Sequence, residues 1–150
     1  MRQMARIHHV RRPTVERRLR RLGLVCQRFH EVALNQAGRR GGIDGVYQLD
    51  ELETYETDRR LSPVTMPVLI ERHSYFVIHG ETAAMAARGN LTPGYREKKK
   101  RRDQRIGIRR SGSRAAVINS LNRLMSVHCP EAGITLESDR KTTYRKEFRR

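Results

Sequence analysis

Apolar residues recur at two different periods along this chain, and the change of period divides it. Met4, Ile7 and Val10 follow helical spacing, and so do Val15, Leu19 and Leu22. Between the two sets lies Arg11-Arg12-Pro13-Thr14, where proline suits a turn or a first helical turn because its missing N–H is unpaired there anyway. Gly23 then reads as a helix stop, so the pattern predicts two short helices joined by a tight turn. Residues 38–42, GRRGG, read as a linker. From residue 46 the pattern becomes β-like. VYQLDELETYE predicts a strand, and VTMPVLIERH and YFVIHGETA predict two more, paired as a hairpin around Arg72-His73-Ser74. Val117, Leu121, Leu124 and Met125 return to helical spacing, with Ser113 as the expected N-cap. Pro130 and Gly133 break that helix, Ile134–Glu137 predicts a short strand, and Thr143–Phe148 predicts the start of a last helix.

A three-strand meander followed by a helix and a fourth strand points to an α/β fold, with that fourth strand added parallel. The divisions expected are a helix-turn-helix-like segment over 1–37, the linker 38–42, and a sheet domain over 43–150 with a basic loop or charged helix extension at 95–114.

Charge sharpens this picture. Among 150 residues the formal net charge is +16, which points to a nucleic-acid partner. Residues 1–42 carry eleven basic and two acidic side chains, and residues 94–114 carry ten and two. Between them, residues 43–93 reverse the balance, with four basic and eight acidic. Arg17, Arg18, Arg20 and Arg21 flank the stripe of the second helix, as the arginines of a DNA recognition helix do, with Arg11, Arg12 and Thr14 at the preceding turn. The plainer alternative is an amphipathic helix with a solvated basic face. With no supporting helix ahead of Met1, the module reads as shortened. Lys98, Lys99, Lys100, Arg101 and Arg102 form a second candidate contact to phosphate. Cys26 with His30, or His8 with His9, lacks the second pair that a structural zinc site requires. No apolar run reaches the ~20 residues of a membrane span, and the expected compartment is the cytoplasm.

Two acids stand where a sheet places chemistry. Asp50 lies within the first strand, among Val46, Leu49 and Leu52, where a carboxylate is costly unless paired or bound to metal. Asp139 follows the fourth strand, and sites in open α/β sheets gather beyond the carboxyl ends of strands. Glu51 would point to the opposite face from Asp50, while Glu53 and Glu56 would offset arginines. The alternatives are an ion pair of Asp50 with Arg59 or Arg60, and a helix cap by Asp139.

The order QLDELETYE, PVLIERHSYFVIHGETA, RRSGSRAAVINSLNRLM, ITLESDRKTTY resembles the RNase H-like core of DDE transposases from bacterial insertion sequences. The resemblance covers nearly the whole chain. It implies that Asp50 and Asp139 are the first two metal-binding, catalytic aspartates. Beside Asp139, Lys141 and Tyr144 are candidates to touch a DNA backbone, with packing into the core as the alternative for Tyr144. The resemblance also implies two Mg²⁺ or Mn²⁺ ions, double-stranded DNA as partner (insertion-sequence ends and target), and a possible homo-oligomer. Such a core continues to a later helix carrying a third acid, usually Glu. This chain stops at Arg150 before that point, and Glu147 lies too close to Asp139 to serve. The expectation is therefore an incomplete core that by itself does not cut or join DNA. A non-enzymatic DNA-binding protein is the alternative.

Overall fold

The computed structural model describes residues 2–139 and Tyr144. Its elements are α1 (Arg2–Ile7), α2 (Arg12–Arg39), β1 (Val46–Tyr55), β2 (Pro63–Glu71), β3 (Val77–Gly80), β4 (Ala83–Ala84), α3 (Pro93–Ile106), α4 (Ser113–Val127) and β5 (Thr135–Ser138). The fold is α/β with a mixed, open five-stranded sheet.

The sheet order is β3-β2-β1-β5. β1 and β2 form the expected antiparallel pair, with Leu49 opposite Leu69 and Asp50 opposite Val68. The third β-like run splits in two. β3 and β4 both pair antiparallel with β2, opposite Val68–Ile70 and Val64–Thr65 respectively. β5 lies parallel to β1, Val46 facing Thr135 and Leu49 facing Ser138. A parallel neighbour needs a crossover, and α3 and α4 occupy it.

Alternation along β1 decides what is inside. Tyr47 and Leu49 are fully buried, and together with Leu69, Ile78, Val117, Leu121, Leu124, Val127 and Leu34 they form the core beneath α4. Tyr144 is buried in the same cluster, so its ring packs rather than reaching outward. The opposite face carries exposed Gln48, Asp50 and Leu52, with Met66, Val68 and Ile70 half-buried beside them. Asp50 thus avoids the burial cost that its apolar neighbours suggest.

Two expectations need correction. The second helix does not stop at Gly23 but runs 28 residues to Arg39. An isolated glycine costs a helix only about 1 kcal/mol relative to alanine, and Gly23 is flanked by the good helix formers Arg20, Arg21, Leu22 and Leu24. Residues 38–42 are not a free linker either. Gly38 and Arg39 are helical, and the next residues dock onto the end of α4: the Ile43 amide donates to the Val127 carbonyl (2.7 Å) and the Cys129 amide to the Ile43 carbonyl (3.0 Å). Of the two alternatives for the basic stretch 95–114, the charged helix holds over most of its length and the loop does not, because α3 spans Pro93–Ile106. Ion pairs one turn apart, Lys99–Asp103 (2.6 Å) and Glu97–Arg101 (2.5 Å), support it. The last expected helix, over residues 143–148, lies outside the described residues except for Tyr144, which is helical.

Candidate functional site

Leu49 and Ser138 are the last matched pair of the parallel ladder. One residue further on, Asp50 and Asp139 line a single open cavity of about 340 Å³ with Gln48, Leu49, Glu137 and Ser138. The period of two explains this. Gln48 pairs with Glu137, so residues 48, 50, 137 and 139 follow one face of the sheet. Oδ1 of Asp50 accepts the amide N–H of Glu51 (2.7 Å). Neither Arg59 nor Arg60 pairs with Asp50 among the described residues. Whether Asp139 caps a helix depends on residues outside those described.

Sequence reasoning missed Glu137 in this cavity, although its place two residues before Asp139 on a strand was a readable signal. Its carboxylate is tied to the Arg72 guanidinium. Among the described residues, no three His, Cys, Asp or Glu side chains gather so as to hold an ion. Asp50 and Asp139 are a pair of hard oxygen donors.

The other acids of β1 separate as expected. Glu51 turns to the α4 side, where it accepts a hydrogen bond from Ser113 Oγ (3.1 Å). That corrects the role of Ser113: it is the first helical residue, Gly112 is the N-cap, and no side chain caps the helix. Glu53 pairs with Arg88 (2.6 Å), and Glu56 with Arg109 (2.9 Å).

The basic candidates divide by environment. Arg11, Arg12, Arg17, Arg18, Arg20 and Arg21 are all exposed, and Thr14 is half-buried. Arg12 forms an ion pair with Glu16 (2.7 Å) one turn further along the helix. Positions 17, 20 and 21 share one side of α2. The helix projects here: Leu19, Leu22 and Phe29 are also exposed, and it returns to the core only near Leu34. His30, closer to that anchor, contacts the Val77 carbonyl oxygen through Nε2 (2.5 Å) and lies against the Phe76 ring.

On α3, Lys98 and Lys100 are exposed, and Arg101 pairs with Glu97. Arg102 is turned inward. It donates to the Leu61 carbonyl and pairs with Asp103 (2.6 Å), which pins α3 onto the β1–β2 turn. Its position in the KKKRR run gave no hint of this. Lys141 lies outside the described residues.

No family model, curated protein or solved structure matches this chain. Among the described residues, no helix is long and apolar enough to cross a membrane.

Proposed function

We propose that this chain is the core of an RNase H-like, DDE-type transposase acting on double-stranded DNA, with Asp50 and Asp139 as metal-holding carboxylates. The observation that supports this best is their placement on one cavity, at neighbouring positions of the parallel strands β1 and β5. Their oxygens suit Mg²⁺ or Mn²⁺, which favour carboxylates and retain water, and the open cavity leaves room for that water. Two such ions, when bound, stabilise the attacking and leaving oxygens of phosphodiester displacement. Asp50 and Asp139 would orient that centre from two adjacent strands, and Arg72 would keep Glu137 beside them from collapsing onto it. The exposed arginines of α2 and the lysines of α3 would hold the DNA backbone by charge.

Isothermal titration with Mn²⁺ tests the reading. Binding should fall in Asp50→Asn and Asp139→Asn and persist in Glu51→Gln, whose side chain is on the other face. Equal binding by the unaltered protein and all three variants would sink it.

A second reading is favoured by one observation, that Arg11, Arg12, Arg17, Arg18, Arg20 and Arg21 are all exposed at the start of α2. On that reading the chain binds DNA without cutting it, through α1 and α2. DNA affinity that is insensitive to Asp50→Asn, together with no Mn²⁺ binding, would select it.

A further inference from the structure

A second, larger cavity lies elsewhere, and no part of the metal reading uses it. Its volume is about 590 Å³, within the range of small-ligand pockets, and its walls are Tyr55, Thr57, Asp58, Arg59, Arg60, Arg88 and Tyr95. Tyr55 lies five residues beyond Asp50 on β1, about 17 Å away at a strand rise of roughly 3.4 Å per residue. The odd-numbered side of β1 faces α4, so the two cavities address different sides of the sheet.

Three elements build this pocket. The β1–β2 turn is locked by Asp58, whose Oδ1 accepts the amides of Arg60 (2.8 Å) and Leu61 (3.0 Å). Those bonds hold the Asp58 carboxyl below its usual range, so it stays an anion committed to the turn. Arg88 is drawn in by its amide, which donates to the Arg60 carbonyl (3.2 Å), and by its guanidinium on Glu53. The N-terminal turn of α3 supplies Tyr95, and Thr92 at its N-cap makes no side-chain bond there.

The chemistry is aromatic faces beside guanidinium groups. Arg60 lies over the Tyr95 ring (4.9 Å), with Lys98 on it as well (5.3 Å), while Tyr55 is half exposed. A ligand with a flat π-system and an adjoining phosphate would meet both kinds of wall at once. Base-on-aromatic stacking with a basic groove along the backbone is how single strands are held.

We propose that this pocket binds an unpaired nucleotide of a single-stranded nucleic-acid segment, its base on Tyr55 and its phosphate against Arg59 and Arg60. The proposal rests on nucleic acid being the partner, but not on the metal site. A base inside a duplex cannot offer its face to Tyr55, so the preference for single strands is the distinguishing property.

The full chain would be titrated, in EDTA, against a fluorescein-labelled ten-nucleotide oligothymidylate and against a duplex of equal length, with anisotropy as the readout. Tyr55→Ala should weaken single-strand binding about ten-fold, the scale of one lost stack, and change duplex binding less than about two-fold. Tyr55→Phe should restore it, and Arg59→Ala should weaken it too. Both side chains are exposed, and unchanged melting temperatures would confirm intact folding. Single-strand affinity unaltered by Tyr55→Ala, or equal losses for strand and duplex, would overturn the proposal. Thymidine monophosphate displacing the strand at equal concentration would overturn it as well, by making a free nucleotide the ligand. Because EDTA removes divalent ions, failure here leaves the Asp50–Asp139 reading to its own titration.

Discussion

Leu49 faces Ser138 across the parallel pair β1–β5, and that register brings Asp50 and Asp139, 89 residues apart in the chain, to one cavity. A shift of one residue would turn either carboxylate to the face covered by α4.

Metal binding to this pair should be visible as stability. At ten times the dissociation constant, a ligand that binds only the folded state adds about 1.4 kcal/mol. For a chain of this size that is a rise of roughly 3–5 °C in melting temperature. A thermal scan with Mn²⁺ should show the rise in the unaltered protein and lose it in Asp50→Asn.

The basic residues should fall into two classes. Replacing Arg17, Arg20 and Arg21 by Gln should leave the melting temperature unchanged and lower the salt dependence of DNA binding, by about one unit of log–log slope for each phosphate no longer neutralised. Arg102→Ala should instead destabilise the fold, because Arg102 holds α3 to Leu61 and neutralises Asp103. An expected loss of about 1–3 kcal/mol follows from leaving the buried Leu61 carbonyl without its donor, Lys99 still pairing Asp103. Denaturant titration of the two variants separates the classes.

Two glycines should respond with opposite signs. Gly42 has φ of +91°, and an added Cβ would sit 2.5 Å from the Cys129 nitrogen. Gly42→Ala should therefore cost about 3 kcal/mol or more, combining strain with displaced backbone. Gly23 lies inside α2 with nothing within 4 Å of an added Cβ, so Gly23→Ala should stabilise by about 0.5–1 kcal/mol. Urea unfolding midpoints would check both.

Acid should weaken the fold through Glu71. This buried carboxylate accepts hydrogen bonds from Ser74 Oγ (2.5 Å) and from the amides of His73 (2.9 Å) and Ser74 (2.7 Å), which pull its pKa to about 2. Its folded pKa is depressed, so its contribution is complete above about 4.5 and is lost as pH falls toward 2. His79 acts in the same direction at higher pH. Burial lowers its pKa below 6.5, and Nδ1 lies 3.0 Å from Ser120 Oγ. Stability from His79 is present above 6.5 and declines as pH drops below that value. The stability of Glu71→Gln should vary less between pH 5 and pH 3 than that of the unaltered protein.

Much of the sheet was legible. The alternation of VYQLDELETYE, the β-rich runs after it and the helical spacing of Val117, Leu121 and Leu124 each named the right element, because their buried sides are set by local period. Gly23 misled because a glycine stops a helix only when nothing else favours continuation. The split of the third run into β3 and β4 was not readable, since both pair with β2 by tertiary register.

The site shows the same division. Strand parity alone separated Asp50 from Glu51, and it could have added Glu137 to Asp139. The sequence by itself determined the strand and helix periods, the acidic island between basic blocks, and which acids share a parity. Only the tertiary structure decided that β5 lies beside β1 in this register, that Asp50 faces an open side, that Arg102 points inward, and that Tyr55, Arg59, Arg60, Arg88 and Tyr95 meet. Local period is set by backbone geometry within a few residues. Which distant strands, turns and helix ends meet is set by packing of the whole core, and no short stretch of sequence encodes it.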